Sequence, residues 1–175
     1  MKRIEEVDRE DLKWTIPFIS LGKFWELKTK ENIVATLQWE KMFDSSVIGE
    51  TAYGKWILKR VGGHKYLKLL PEGIDACTFE NDSIIVVKLR FKTRSISVNL
   101  RSETTYQIQF AKVMLSFRGI AFLDSGNSVV SFRPRKSVIT KKVWVETTIS
   151  DQFVKSPELS LLLLMGGFII IRYYL

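Results

Sequence analysis

The sequence predicts a mainly β protein, a closed antiparallel β-barrel of about twelve strands surrounding a central hydrophobic C-terminal α-helix. Three observations predict it. From Gly22 onward, short alternating apolar and polar runs follow one another, separated by turn chemistry at a spacing of roughly 8 to 12 residues. Near the end, thirteen consecutive residues, Leu159 to Ile171, carry no charge. The chain has 175 residues, of which 46% are hydrophobic, and a chain of that length buries roughly two thirds of its unfolded surface in one core without disulfide or metal staples.

Residues 1–21 read as a lead-in to a single domain. The run MKRIEEVDREDLKW is charged at every one or two positions and has no apolar segment, so the expectation is a mature cytoplasmic chain without a secretory signal. The barrel strands are expected over residues 22–150: Lys23 to Lys28, Ile33 to Trp39, Thr51 to Arg60, Lys65 to Leu70, Ile74 to Phe79, Ile84 to Phe91, Ile96 to Leu100, Thr105 to Phe110, Val113 to Phe117, Ile120 to Leu123, Ser128 to Phe132 and Val143 to Ile149. Gly62-Gly63, Pro71-Glu72-Gly73, Glu80-Asn81-Asp82, Arg101-Ser102-Glu103 and Asp124-Ser125-Gly126-Asn127 punctuate them as hairpin turns. The absence of a strand–helix–strand pattern and of a glycine-rich phosphate loop argues against nucleotide-binding α/β folds.

At Ser156 the composition shifts. Ser156-Pro157-Glu158 offers an N-cap, a proline at the first helical position and an acid in the first turn. The apolar stretch that follows has three readings. A transmembrane tail anchor needs roughly 20 apolar residues, more than the thirteen before Arg172. A helix broken at Gly166-Gly167 would leave Phe168 to Tyr174 as a last strand. The preferred reading is a helix over 156–175, apolar on every side because it is buried on every side. From Pro157 it would be about 28 Å long at roughly 1.5 Å per residue, which suits the interior of a wide barrel. Gly166 and Gly167 would then let a strand or a bulky inward tryptophan approach the helix backbone.

The order of motifs resembles the tubby C-terminal-like superfamily, which includes tubby domains, LURP-one-related proteins and phospholipid scramblases. The residues that carry the resemblance are Phe24-Trp25-Glu26-Leu27, Val34-Ala35-Thr36-Leu37-Gln38-Trp39, Glu50-Thr51-Ala52-Tyr53-Gly54-Lys55-Trp56 with Leu58-Lys59-Arg60, Ile96-Ser97-Val98-Asn99-Leu100 with Tyr106, Phe122-Leu123-Asp124 with Gly126, and the terminal apolar helix. The resemblance implies the same barrel around a central helix, and, from tubby domains, binding of phosphoinositide headgroups through basic residues on the barrel. Scramblases in the same superfamily are linked to calcium, but Asp124-Ser125-Gly126-Asn127 lacks the further carboxylates of a dedicated calcium site and reads as a hairpin.

The formal net charge of +8 is concentrated: residues 55–142 hold 17 basic and 6 acidic groups, while both flanks are slightly acidic. Such a block favours polyanions. Lys88, Arg90, Lys92 and Arg94 stand two apart, and on one continuous strand they would form an outward basic stripe. Lys59 and Arg60, with His64, Lys65 and Lys68, form a second cluster, and Arg133 and Arg135, with Lys136, Lys141 and Lys142, a third. The candidate anion-binding residues are therefore Lys59, Arg60, Lys88, Arg90, Lys92, Arg94, Arg133 and Arg135. No catalytic or metal role is expected, and no cofactor: His64 with Cys77 is the one nominal Cys/His pair, and it reads as a surface histidine and a buried apolar thiol.

The expected function is that of a non-catalytic binding or scaffold module taking an anionic membrane lipid or phosphorylated headgroup, peripheral at the membrane. Nucleic acid is the less favoured polyanion, because the aromatics alternate with polar residues as core positions do. The alternatives are a protein-interaction or structural module without a ligand, and a tail-anchored membrane protein.

Overall fold

The computed structural model describes residues 1–17, 23–39, 46–61, 66–71, 85–88, 95–99, 104–113 and 116–174. Its strands are β1 Lys13–Thr15, β2 Phe24–Lys28, β3 Ile33–Gln38, β4 Ser46–Thr51, β5 Gly54–Val61, β6 Tyr66–Pro71, β7 Ile85–Lys88, β8 Ser95–Asn99, β9 Thr105–Val113, β10 Ser116–Asp124, β11 Asn127–Lys136 and β12 Val143–Ile149, and the helix is α1 Leu159–Tyr174. Among the described residues the strands form one antiparallel sheet in the order β7-β6-β5-β4-β3-β2-β1-β12-β11-β10-β9-β8. The order is a meander with one long-range seam, where β1 pairs with β12 through Lys13↔Glu146 and Trp14↔Val145. The two end strands, β7 and β8, approach within 8 Å between Cα atoms, and no ladder between them is among the described pairings.

Alternation decides the inner face. Trp25 and Leu27 of β2, Tyr106, Ile108 and Phe110 of β9, Ile120 and Phe122 of β10, and Val130 and Phe132 of β11 are all buried, as period-2 patterning requires. The helix takes up the space they face. Every residue from Glu158 to Ile170 is buried, and α1 touches β3 and β4 of one half of the sheet and β10 and β11 of the other. A helix contacted from both sides has no water-facing stripe, which is why this segment tolerates an uninterrupted apolar sequence. Among the described residues, no helix is long and apolar enough to cross a membrane.

Helix α1 begins at Leu159, two residues beyond the expected first helical position at Pro157. The Glu158 amide donates to Ser156 Oγ at 3.3 Å, and the Leu159 amide donates to the Ser156 carbonyl at 3.1 Å. Tyr106 of β9 donates its hydroxyl to the Glu158 carboxylate, tying the helix start to the sheet. Burial, and then this hydrogen bond, hold the Tyr106 phenol well above its ordinary range.

Gly166-Gly167 does not break the helix. A Cβ at Gly166 would stand 2.1 Å from the Phe132 ring, and one at Gly167 would stand 2.6 Å from Trp14. The two glycines are contact points at which a β11 phenylalanine and a β1 tryptophan lie against bare helix backbone, and Trp14 is wholly buried there.

Three expectations change. The Thr51 to Arg60 run is not one strand: Ala52 and Tyr53 turn between β4 and β5. The pattern of β4, SVIGET, is weakened by Gly49, whose Cβ would meet Leu164 and Leu58 at 2.9 Å. The Val113 to Phe117 run straddles the end of β9 and the start of β10. And residues 13–15 of the lead-in form β1, where Trp14 brings a core side chain into an otherwise charged sequence. The expected strand Ile74 to Phe79 lies outside the described residues, as do Leu89 to Phe91.

Candidate anion-binding site

The outward face of β9, β10 and β11 carries small residues at Ala111, Gly119, Ala121 and Ser131. Register aligns Gln109 with Ala121 and Ala121 with Ser131 in one row across the three strands. Ala111 and Gly119 make the next pair. With little rising above the backbone, a depression of about 780 Å³ forms over Phe110, Ile120 and Phe132, bordered by Arg118 and Arg133.

Arg118 reaches this face because the strand is irregular. It shares the parity of Ile120 and Phe122, so strict alternation would send it into the core. Between Phe117↔Lys112 and Gly119↔Ala111 the register shifts, leaving Arg118 as the extra residue of a β-bulge, and its side chain is exposed. Gly119 makes the bulge possible: its φ is +153°, and a Cβ there would lie 2.4 Å from the Phe132 carbonyl oxygen. Only glycine fits.

Arg133 lies opposite Glu146 of β12 in register, but the Glu146 carboxylate accepts from Arg135 Nε at 2.8 Å. Lys13 and Lys28 on the same outer face are similarly engaged, by Asp11 at 2.9 Å and Glu26 at 3.3 Å. Among the described residues, Arg118 and Arg133 have no carboxylate partner. Two planar five-donor guanidinium groups beside the Ser131 hydroxyl and the Gln109 amide suit an anion with several oxygens, which each arginine can grip through two parallel hydrogen bonds.

The residues expected from sequence divide. Arg133 and Arg135 lie on β11 and border or adjoin the depression. Lys59 is exposed on β5, with five strands between it and β11 in the sheet order. Arg60 shares the inward parity of buried Leu58, is half-buried and is engaged. Lys88 ends β7 opposite Tyr66, and Arg90, Lys92 and Arg94 lie outside the described residues, as do His64, Lys65 and Cys77. Arg118, which falls between the expected strands Val113 to Phe117 and Ile120 to Leu123, is the member that sequence reasoning missed. The signal that finds it is the glycine directly after it inside an alternating run, a mark of a bulge.

Asp124-Ser125-Gly126-Asn127 forms the β10–β11 hairpin, with Ser125 at φ 49° and Gly126 at φ 86°, the positive pair that a type I′ turn requires. No three His, Cys, Asp or Glu side chains among the described residues group as metal ligands. No protein-family model, curated protein or solved structure matches the chain.

Proposed function

We propose that this chain is a non-catalytic binding module, a barrel closed through β7 and β8 around α1, that takes the phosphate of anionic lipid headgroups on the outer face of β9, β10 and β11 and works peripherally at a membrane surface. The observation that carries the reading is the pair Arg118 and Arg133, without carboxylate partners among the described residues, at the edge of a depression floored by small residues. The bulge at Gly119 brings Arg118 to that depression at a cost in sheet regularity, and such irregularities concentrate where a strand has work beyond pairing. The resemblance of the motif order to tubby C-terminal-like proteins points the same way, since tubby domains take phosphoinositides on a basic barrel surface. With the apolar helix enclosed by the sheet, the outer surface is left as the part of the molecule that can meet a bilayer.

The test is co-sedimentation with vesicles of phosphatidylcholine alone and mixed with phosphatidylserine. Binding to the mixture should weaken with salt, since exposed charges are screened over about 10 Å at 0.1 M. Replacing both Arg118 and Arg133 with Glu should cost about 2 kcal/mol, roughly thirtyfold in partitioning. Indifference of the native chain to the anionic lipid sinks the reading. A protein-interaction module is the second reading, and the position of Lys59, far from Arg133 in the sheet order, favours it; a soluble protein partner would bind with or without vesicles.

A further inference from the structure

The two most exposed large apolar side chains among the described residues are adjacent. Val138 is 95% exposed and Ile139 is 93% exposed, and together they form the tip of the hairpin joining β11 to β12. An isolated surface valine needs no explanation, but two neighbouring apolar side chains standing almost wholly in water form an exposed apolar tip whose burial would be favourable.

The loop holds them there. The Ser137 amide donates to the Lys142 carbonyl at 2.9 Å, closing the hairpin. The Thr140 amide donates to Ser137 Oγ at 3.1 Å. Lys141 takes φ +55°, a left-handed conformation that few non-glycine residues adopt. The apolar pair is thus presented by an ordered turn and is not folded back onto the sheet.

The surroundings identify the occupant. Lys136, Lys141 and Lys142 are exposed on both sides of the tip, and none has a carboxylate partner among the described residues. Beside the hairpin, a second depression of about 660 Å³ is lined by Lys13, Lys28, Lys141 and Lys142 together with Ile16 and Trp144. Apolar residues at the extreme tip, with cations directly behind them, match the layering of an anionic bilayer: acyl chains first, phosphates a few ångströms above. A protein pocket would also accept the tip, but it would not call for unpaired lysines on both flanks. Outward positions of β11 lead back from the tip through Arg135 to Arg133, so the hairpin and the Arg118–Arg133 depression lie along one strand.

We propose that the β11–β12 hairpin is a membrane-insertion loop, with Val138 and Ile139 entering the headgroup–acyl boundary of an anionic bilayer and Lys136, Lys141 and Lys142 contacting its phosphates. This rests on the headgroup reading above and names the element that docks.

The experiment compares the native chain with Val138→Ser/Ile139→Ser, in vesicles of phosphatidylcholine with phosphatidylserine and, separately, with soluble inositol hexakisphosphate. Both changes lie at an exposed tip, and an unaltered melting temperature checks that the fold is kept. The serine pair should lower vesicle partitioning by about a hundredfold, because two buried aliphatic side chains are lost, and should leave inositol hexakisphosphate binding at the depression unchanged. Lys141→Glu/Lys142→Glu should lower vesicle partitioning by about twentyfold or more, at about fivefold for each lost cation. Vesicle binding by the serine pair equal to that of the native chain overturns the insertion loop and leaves the headgroup reading standing. A native chain that ignores the anionic vesicles overturns both. Equal binding to pure phosphatidylcholine overturns the role of the lysines.

Discussion

Gly166→Ala reverses an ordinary expectation. In an open helix interior, replacing glycine with alanine stabilises by about 1 kcal/mol. Here the new methyl would sit 2.1, 2.3 and 2.8 Å from three atoms of the Phe132 ring, where an ordinary carbon contact needs about 3.5–4.0 Å. The ring would have to withdraw by roughly 1.5 Å to restore that contact. It has nowhere to go: Phe132 is 1% exposed and packs edge-on against Phe122 at a centroid distance of 6.0 Å. Overpacking of this kind costs about 3 kcal/mol at the upper end of its range. Offset by the propensity gain, the net loss is about 2 kcal/mol, or about 4–8 °C in melting temperature for a chain of this size. Urea denaturation should show a lower midpoint at an unchanged slope. In the background of Phe132→Leu, which removes the ring edge, the same substitution should be far less damaging, with a coupling of about 1 kcal/mol or more. If Gly166→Ala alone raises stability, the helix does not pack against β11 and the enclosed-helix account is wrong.

Further outcomes are expected. Gly119→Ala meets both a φ of +153° and the Phe132 carbonyl oxygen at 2.4 Å. It should cost about 2 kcal/mol or more and, by re-aiming Arg118, weaken inositol hexakisphosphate binding; titration calorimetry showing unchanged affinity would detach the bulge from the site. The Tyr106 phenol is held above its ordinary value of 10.0 by burial and by its bond to Glu158. The folded state therefore keeps a proton that the unfolded chain releases near pH 10, and stability falls as pH rises past about that value. Tyr106→Phe should flatten that alkaline fall and, by leaving buried Glu158 without this donor, cost about 1–3 kcal/mol at neutral pH; urea midpoints across the alkaline range would expose an unchanged slope. A chain ending at Lys155 loses the helix that the inner faces of β3, β4, β10 and β11 cover. It should lack cooperative unfolding, whereas a soluble, cooperatively folded truncation would mean that the helix is dispensable to the sheet.

Sequence patterning located most strands because each has one face on the core, and alternation is the trace that such a face leaves. It failed where a contact replaces a side chain. Gly49 interrupts the pattern of β4 because Leu164 and Leu58 occupy the space of its Cβ, and no strand is expected there before Thr51. In β1 a single buried tryptophan among charged neighbours leaves no period to detect. The expected strand ends at Phe132, yet β11 continues past Pro134 to Lys136. Beyond Phe132 the described pairs of β11 are with β12 alone, and a strand paired on one side tolerates a missing amide. The glycine pair in the helix was legible as a close approach, because two adjacent glycines in an otherwise apolar helix have no better use. The site was legible only in part. Arg133 and Arg135 are legible as part of a basic cluster around Pro134, while Arg118 depends on a bulge that reverses its parity, and the clustering of cations depends on strand order, which no local signal encodes.

The apolar helix lies inside the sheet, and the proposed lipid-binding surface lies outside it. Amide hydrogen exchange with and without phosphatidylserine-containing vesicles tests both halves in one measurement. The account predicts that the amides of Leu162 to Ile170 are among the slowest to exchange in the absence of lipid and do not change when vesicles are added, while those of Ser137 to Lys142 exchange rapidly alone and slow markedly with vesicles. Rapid exchange along the helix in water, slowing only when lipid is present, would contradict it.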